Sequence, residues 1–332
     1  MSLFFQGKPP VARYDIQEYP VFERLIEKQI SFFWRPDEID ISTDKGQFED
    51  LNESERHVFV KNLQYQTLLD TVQGRSPNLA ILPHVSVPEL ETWVETWSFS
   101  ETIHSRSYTH ILRNLYGNPS PVFDEIPREP EINKRALSIN KYYDQLMENP
   151  NEDTMYLAIN AINILEGIRF YVSFACSFAF GERKLMVGNA DIIKLIARDE
   201  KLHLVGTQQI INIMRAENPD LHEKHEEEIY TMFLDASNEE KDWAEYLFSK
   251  GSMLGLNPSI LSDYVEYTTN KRLKALGLSE IYPIKTNPLP WMSNWLVSDN
   301  FQTAPQEREI TSYLVGQINT QIDKDKLKDF KL

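Results

Sequence analysis

Only one cysteine, Cys176, and twelve glycines occur among 332 residues. A single thiol cannot close an intrachain disulfide, and no cysteine pair is present for dithiol redox chemistry. Glycine at roughly half its usual 7% share disfavours turn-rich β architecture and suits long helices, where it is costly. An excess of basic residues is also missing. The formal charge of −16 argues against a nucleic-acid backbone or an anionic membrane as partner and leaves small cations and proteins. No apolar run reaches the roughly 20 residues a membrane helix needs, and the most apolar stretch, 170–180, is interrupted by Ser173, Cys176 and Ser177. The first residues, Met1 to Lys8, lack a charged region followed by a long apolar run, so a cytoplasmic protein is expected. P-loop and Gly-x-Gly-x-x-Gly signatures are absent as well.

What is present is helical. A hydrophobic content of 41% is ample for a large core. Gly74 with Pro77, Gly117 with Pro119, Gly181, and Asn218 with Pro219 punctuate long segments. The periodicity predicts helices ending near Gln73 and running from about Pro88 to Tyr116, Asp153 to Phe180 and Asn189 to Glu217. Further helical patterns cover about 17–34, 131–147, 222–249 and 259–275. Past residue 277 the pattern fades into a Pro- and Trp-containing stretch. We therefore expect an all-α, ferritin-like long-helix bundle over 1–304 and a flexible polar tail over 305–332, with few apolar groups besides Tyr313, Phe330 and Leu332.

Two motifs share the spacing Glu-x-x-His: Glu101 with His104, and Glu200 with His203. Each has an acid upstream, Asp70 by 31 positions and Glu166 by 34, a helix, a turn and half a helix each time. All six fall in apolar stripes. Leu90, Val94, Trp97, Glu101, His104, Tyr108, Ile111 and Leu115 advance in steps of three and four with Trp93 beside Val94, as do Ile193, Ile196, Glu200, His203, Thr207, Ile210 and Met214. Ile159, Ile162, Glu166, Phe170 and Phe174 form a third row, and Phe59, Leu63, Gln66 and Asp70 a fourth.

Carboxylates are rarely buried alone, because desolvating an isolated charge costs several kcal/mol or more. Four on core faces call for a shared cation, and two divalent ions cancel them. Oxygen-rich ligands with one imidazole per ion suit iron or manganese, and the set matches the di-iron carboxylate pattern of helical bundles. One Glu-x-x-His alone carries little weight among seven histidines. His57, His84, His110, His222 and His225 lack a Glu three residues before them, and the run from His222 to Glu228 reads as a solvated helix face. Tyr108, one turn beyond His104, places a phenol beside the metals, where a redox role outweighs that of an ordinary buried tyrosine.

The segments Glu101-Thr-Ile-His104-Ser-Arg-Ser-Tyr108-Thr-His, Asp70-Thr-Val-Gln-Gly-Arg-Ser-Pro, Glu166-Gly-Ile-Arg-Phe-Tyr-Val-Ser-Phe-Ala-Cys and Ala197-Arg198-Asp199-Glu200-Lys-Leu-His203 closely resemble the class I ribonucleotide reductase small subunit, nearest its class Ia branch. The resemblance implies a homodimer holding two iron ions, oxo-bridged when oxidised, with manganese as the alternative metal. It implies metal ligands Asp70, Glu101, His104, Glu166, Glu200 and His203, and dioxygen as the oxidant that leaves a stable radical on Tyr108. Phe170, Phe174 and Ile196 would form the radical's dry wall. Trp34 and Asp199 correspond to the family's electron-transfer Trp and its Asp partner. Tyr313 corresponds to the tail tyrosine that relays the radical, and Phe330 and Leu332 to the peptide that docks on the large subunit, where ribonucleoside diphosphates are reduced. Read from the residues alone, an iron-storage protein or a di-iron oxygenase stays open.

Overall fold

The computed structural model describes residues 2–9 and 11–296. The expected boundary at 304, and with it Tyr313, Phe330 and Leu332, lies outside them. Twelve α-helices carry the described chain: α1 Pro20–Ser31, α2 Asp44–Asp50, α3 Glu53–Gln73, α4 Pro88–Leu115, α5 Ser120–Glu125, α6 Pro130–Glu148, α7 Glu152–Ile164, α8 Phe170–Glu182, α9 Val187–Glu217, α10 Asp220–Leu247, α11 Pro258–Ala275 and α12 Met292–Leu296. Among the described residues β structure amounts to isolated bridge positions, such as Phe4 with Val85 and Met253 with Leu256.

Local chemistry sets the helix starts. Proline opens α1, α4, α6 and α11, where its missing N–H costs nothing. Asn52 and Asn257 cap α3 and α11 by accepting the Glu55 and Ile260 amides at 2.9 and 3.0 Å, and Asn151 with Thr154 forms a reciprocal capping box at α7. Helix α3 packs on α4 and α8, and α9 on α8 and α4, closing a four-membered ring around the site. Helices α1, α6, α7, α10 and α11 cover this ring from outside.

The expected single helix from Asp153 to Phe180 is two helices joined by a π-helical turn, Leu165–Arg169. A signal for it was in the sequence. Ile162, Glu166, Phe170 and Phe174 advance by four each time, and at 3.6 residues per turn each step drifts about 40° off a common face. A π turn absorbs such drift. Every residue from 155 to 180 is buried, so this segment is apolar all round rather than along one stripe. The stretch Glu152–Glu182 is long and apolar enough to cross a membrane by composition, yet 94% of its apolar window is buried inside the protein.

Two arginines hold the π turn, one from a neighbouring helix and one its own last residue. Arg272 Nε of α11 donates to the Gly167 carbonyl at 2.9 Å. Arg169 is clamped by Glu239 at 2.6 Å, Glu240 at 3.0 Å and the Ser138 hydroxyl at 2.9 Å. A Cβ at Gly167 would lie 2.9 Å from Arg272 Cδ and Nε. Gly167→Ala is therefore expected to cost about 1–3 kcal/mol as an overpacked core site, read as a lower thermal midpoint of the metal-free protein. An unchanged midpoint would show that Arg272 moves aside freely.

Candidate metal centre

Each of the four ring segments delivers its acid inward: Asp70 from α3, Glu101 and His104 from α4, Glu166 from the π turn, and Glu200 and His203 from α9, all at 0% exposure. Two overlapping groups could hold a metal ion, Asp70, Glu101, His104 and Glu200, and Glu101, Glu166, Glu200 and His203, with candidate ligand atoms within 4.8 Å of one another in each. Glu101 and Glu200 belong to both. His104 Nδ1 lies 3.0 Å from Glu101 and 3.0 Å from Glu200, and His203 Nδ1 lies 2.9 and 3.0 Å from the same two residues. The sequence showed one dinuclear set built from a repeated half, without saying how the halves interleave. The fold places one glutamate of each Glu-x-x-His between both imidazoles.

The donor set fits a pair of hard or borderline cations. Both oxygens of Asp70 and Oε2 of Glu166 are buried without a hydrogen-bond partner, a cost of about 1–3 kcal/mol or more for each such group that a bound cation removes. Burial first, then the neighbouring carboxylates, push the Asp70 and Glu166 carboxyls well above their usual range. For the imidazoles, burial works towards the neutral form, but the surrounding acids outweigh it. His104 is raised well above its usual value and His203 to about 9. Without metal, therefore, the charge is balanced by protons.

A testable pH dependence follows. In the metal-free protein, the stabilisation from protonated His203 is complete below about 6.5 and is lost as the pH rises through about 9. Metal must displace that proton, so its affinity rises with pH over the same window. Ferrous loading at about a thousand times Kd is expected to add roughly 4 kcal/mol and raise the thermal midpoint by about 10 °C, by more at pH 8 than at pH 6. Calorimetric scans at the two pH values check this, and a larger gain at pH 6 would refute it.

Groups beyond the six ligands fix the cluster's orientation. Trp97 Nε1 donates to Glu101 at 2.8 Å and Gln73 Nε2 to Glu166 at 2.7 Å, neither of them singled out in the sequence. Asp199 Oδ2 lies 3.2 Å from His104 Nε2 and accepts the Trp34 indole N–H at 2.8 Å. Burial alone would raise the Asp199 carboxyl, but Arg198, His104 and Trp34 hold it below its ordinary value. Arg198 donates to the Phe32 carbonyl at 2.6 Å and sits 4.1 Å over the Phe32 ring, which ties the Trp34 segment to α9. A continuous line thus runs from His104 through Asp199 to Trp34.

Tyr108 is fully buried, and its hydroxyl faces the Asp70 carboxyl without a partner at ordinary hydrogen-bond distance. Burial and then the Asp70 charge raise its pKa well above the usual phenol value, so it stays protonated. Phe170 and Phe174 stack at 5.9 Å between centroids, and both they and Ile196 are 0% exposed. Of the remaining histidines, His225 is not solvated as expected. It is buried against Asp153, 2.7 Å away, while Glu223, Glu226, Glu227 and Glu228 around it are exposed.

A ring of four helical segments with two Glu-x-x-His pairs and two further acids defines an all-α dimetal carboxylate protein. Its family is shown by comparison. The profile of the ribonucleotide reductase small chain matches residues 14–288, and the chain belongs to that family. It is 54% identical to subunit beta of ribonucleoside-diphosphate reductase 1 from Escherichia coli O157:H7, covering 99% of this chain and 96% of the relative. Subunit beta from Haemophilus influenzae is also 54% identical over the same shares. Among solved structures, the R2 subunit of ribonucleotide reductase from Clostridium botulinum superposes with a TM-score of 0.84 at 28% identity, over 89% of this chain and 94% of that one. The storage and oxygenase readings give way to this membership.

Proposed function

We propose that this chain, as the small subunit of a ribonucleoside-diphosphate reductase, makes and stores an oxidising equivalent on Tyr108. The observation that carries the reading is the pairing of a dry Tyr108 hydroxyl, facing the Asp70 carboxyl, with the hydrogen-bonded line His104, Asp199, Trp34 leading away from the same cluster. Asp70, Glu101, His104, Glu166, Glu200 and His203 would hold two iron ions, with manganese the alternative for the same oxygen-rich set. When bound, the pair supplies the oxidising power of dioxygen.

The chain's own residues do the rest. Tyr108 gives up one electron and its hydroxyl proton and becomes a neutral radical. Phe170, Phe174 and Ile196 keep water and reductants from it. Asp199 holds the His104 ring by its Nε2 side and the Trp34 indole by its N–H, which orients donor and acceptor for electron transfer. The hole passes from Tyr108 through Trp34 and Tyr313 to the large subunit, where ribonucleoside diphosphates become 2′-deoxy products.

We assign residues 305–332 to docking on that subunit, with Phe330 and Leu332 as apolar anchors of a weak, reversible peptide contact. The exposed stacked pair Phe33 and Phe99, 6.5 Å between centroids, with Ile30 also exposed, supports a homodimer, because such a patch calls for a cover. Electron paramagnetic resonance after anaerobic ferrous loading and oxygen exposure tests the central claim. Two bound irons and no tyrosyl signal would overturn it. Deleting the residues after Thr311 is expected to leave the radical intact and take nucleotide reduction with added large subunit to background. Retained turnover would remove the tail from the pathway.

A further inference from the structure

A second tyrosine lies close to the same metal ligands, and the fold treats it differently. Tyr143 of α6 is 2% exposed. Its hydroxyl donates to Gln73 Oε1 at 2.8 Å, and Gln73 Nε2 donates to Glu166 Oε1 at 2.7 Å. Two hydrogen bonds therefore separate the Tyr143 phenol from a metal ligand. The amide orientation follows from its neighbours, since Glu166 as a metal ligand is a carboxylate whose oxygens only accept, which turns the Gln73 NH2 to Glu166 and leaves its oxygen for the phenol O–H.

We propose that Gln73 is a specificity-determining residue that confines oxidation to Tyr108 by denying Tyr143 a proton acceptor. The inference rests on the Tyr108 reading above. A buried phenol becomes a neutral radical only if its proton leaves with the electron. An amide oxygen accepts the phenol's hydrogen bond but is not a base that takes its proton. At 0% exposure Gln73 leaves no water in that place. Tyr108 is not tied to a neutral amide, for its hydroxyl faces the Asp70 carboxyl, a group able to take a proton. The residue at position 73 thus selects between two tyrosines of similar burial. A carboxylate introduced there would change the outcome: the Tyr143 O–H bond breaks, the proton passes to that carboxylate, and the electron goes to the same oxidised centre that oxidises Tyr108.

The experiment uses the full chain with Gln73→Glu, Tyr108→Phe and Tyr143→Phe, alone and combined, each checked for two bound irons by metal analysis. After ferrous loading and oxygen exposure, Tyr108→Phe alone is expected to give no tyrosyl signal. Gln73→Glu with Tyr108→Phe is expected to gain one, which disappears when Tyr143→Phe is added. A fully loaded Gln73→Glu, Tyr108→Phe protein without a signal overturns the proposal, as does a Tyr143 radical in Tyr108→Phe alone. Should the carboxylate variant fail to load, Gln73→His, which supplies a neutral base, is judged by the same two outcomes. A second readout is vibrational. With ring-labelled tyrosine in the iron-loaded Tyr108→Phe protein and Tyr143→Phe as the blank, the Tyr143 C–O infrared band is expected to shift in Gln73→Glu as the hydrogen bond gains charge, and an unmoved band overturns the proposal. A wild type without any tyrosyl signal sinks the Tyr108 reading instead, while the infrared shift still judges the bond at position 73.

Discussion

Tyr108→Phe is expected to leave two metals bound and the fold intact while reducing both the tyrosyl signal and nucleotide turnover to background. The reason is local. The Tyr108 hydroxyl has no partner at ordinary hydrogen-bond distance and only a long contact with the Asp70 carboxyl, so removing it breaks no strong bond. Losing that long contact and relieving the hydroxyl's desolvation roughly offset, and the metal-free variant is expected to match wild-type stability within about 1 kcal/mol. The loss should therefore be wholly chemical. Metal analysis, a thermal scan and electron paramagnetic resonance on one preparation separate the effects. A variant that turns over nucleotide at the wild-type rate would show that the oxidising equivalent is held elsewhere.

Trp34→Phe is expected to give the opposite division: the Tyr108 radical forms, but reduction of ribonucleoside diphosphates with added large subunit falls to background. Trp34 is 1% exposed and its N–H donates to Asp199 at 2.8 Å. Phe keeps an aromatic ring but removes that donor, and with it the link from the imidazole of His104 to the indole. Asp199 Oδ2 retains contacts with His104 at 3.2 Å and Ser100 at 3.4 Å. The stability cost should consequently be about 1–2 kcal/mol, within the range for one lost buried hydrogen bond. Rapid-quench turnover assays beside radical quantitation check this. Full turnover with Phe at position 34 would mean the hole leaves by another route.

Much of the site was legible because helix geometry is local. Residues three and four apart share a face whatever the rest of the chain does, so Glu101 with His104 and Glu200 with His203 could be paired without knowing any packing. Burial of all four acids followed from their apolar neighbours. The helices were readable at their ends for the same reason, through Pro88 and Gly74. The π turn at Leu165–Arg169 was harder to see, since buried residues on every side of that segment erased the stripe that marks a helix face. His225 was misread because the acidic run around it masked one inward position.

Gln73 escaped notice because an amide at a helix end has no distinctive spacing, and its importance appears only where it meets Glu166 from another segment. Trp97 stood four positions before Glu101 on one stripe, a spacing that could have revealed its bond. Trp34 and Asp199, 165 residues apart, could be joined only through the family resemblance. The sequence by itself determined the ligand types, their face and the number of acids needing a cation, since these depend on 3.6-residue periodicity and desolvation. Only the tertiary structure decided that Glu101 and Glu200 stand between both imidazoles, that Tyr143 ends on an amide, and that His104 connects to Trp34. Those contacts depend on where four helices cross, and no spacing along one helix encodes a crossing.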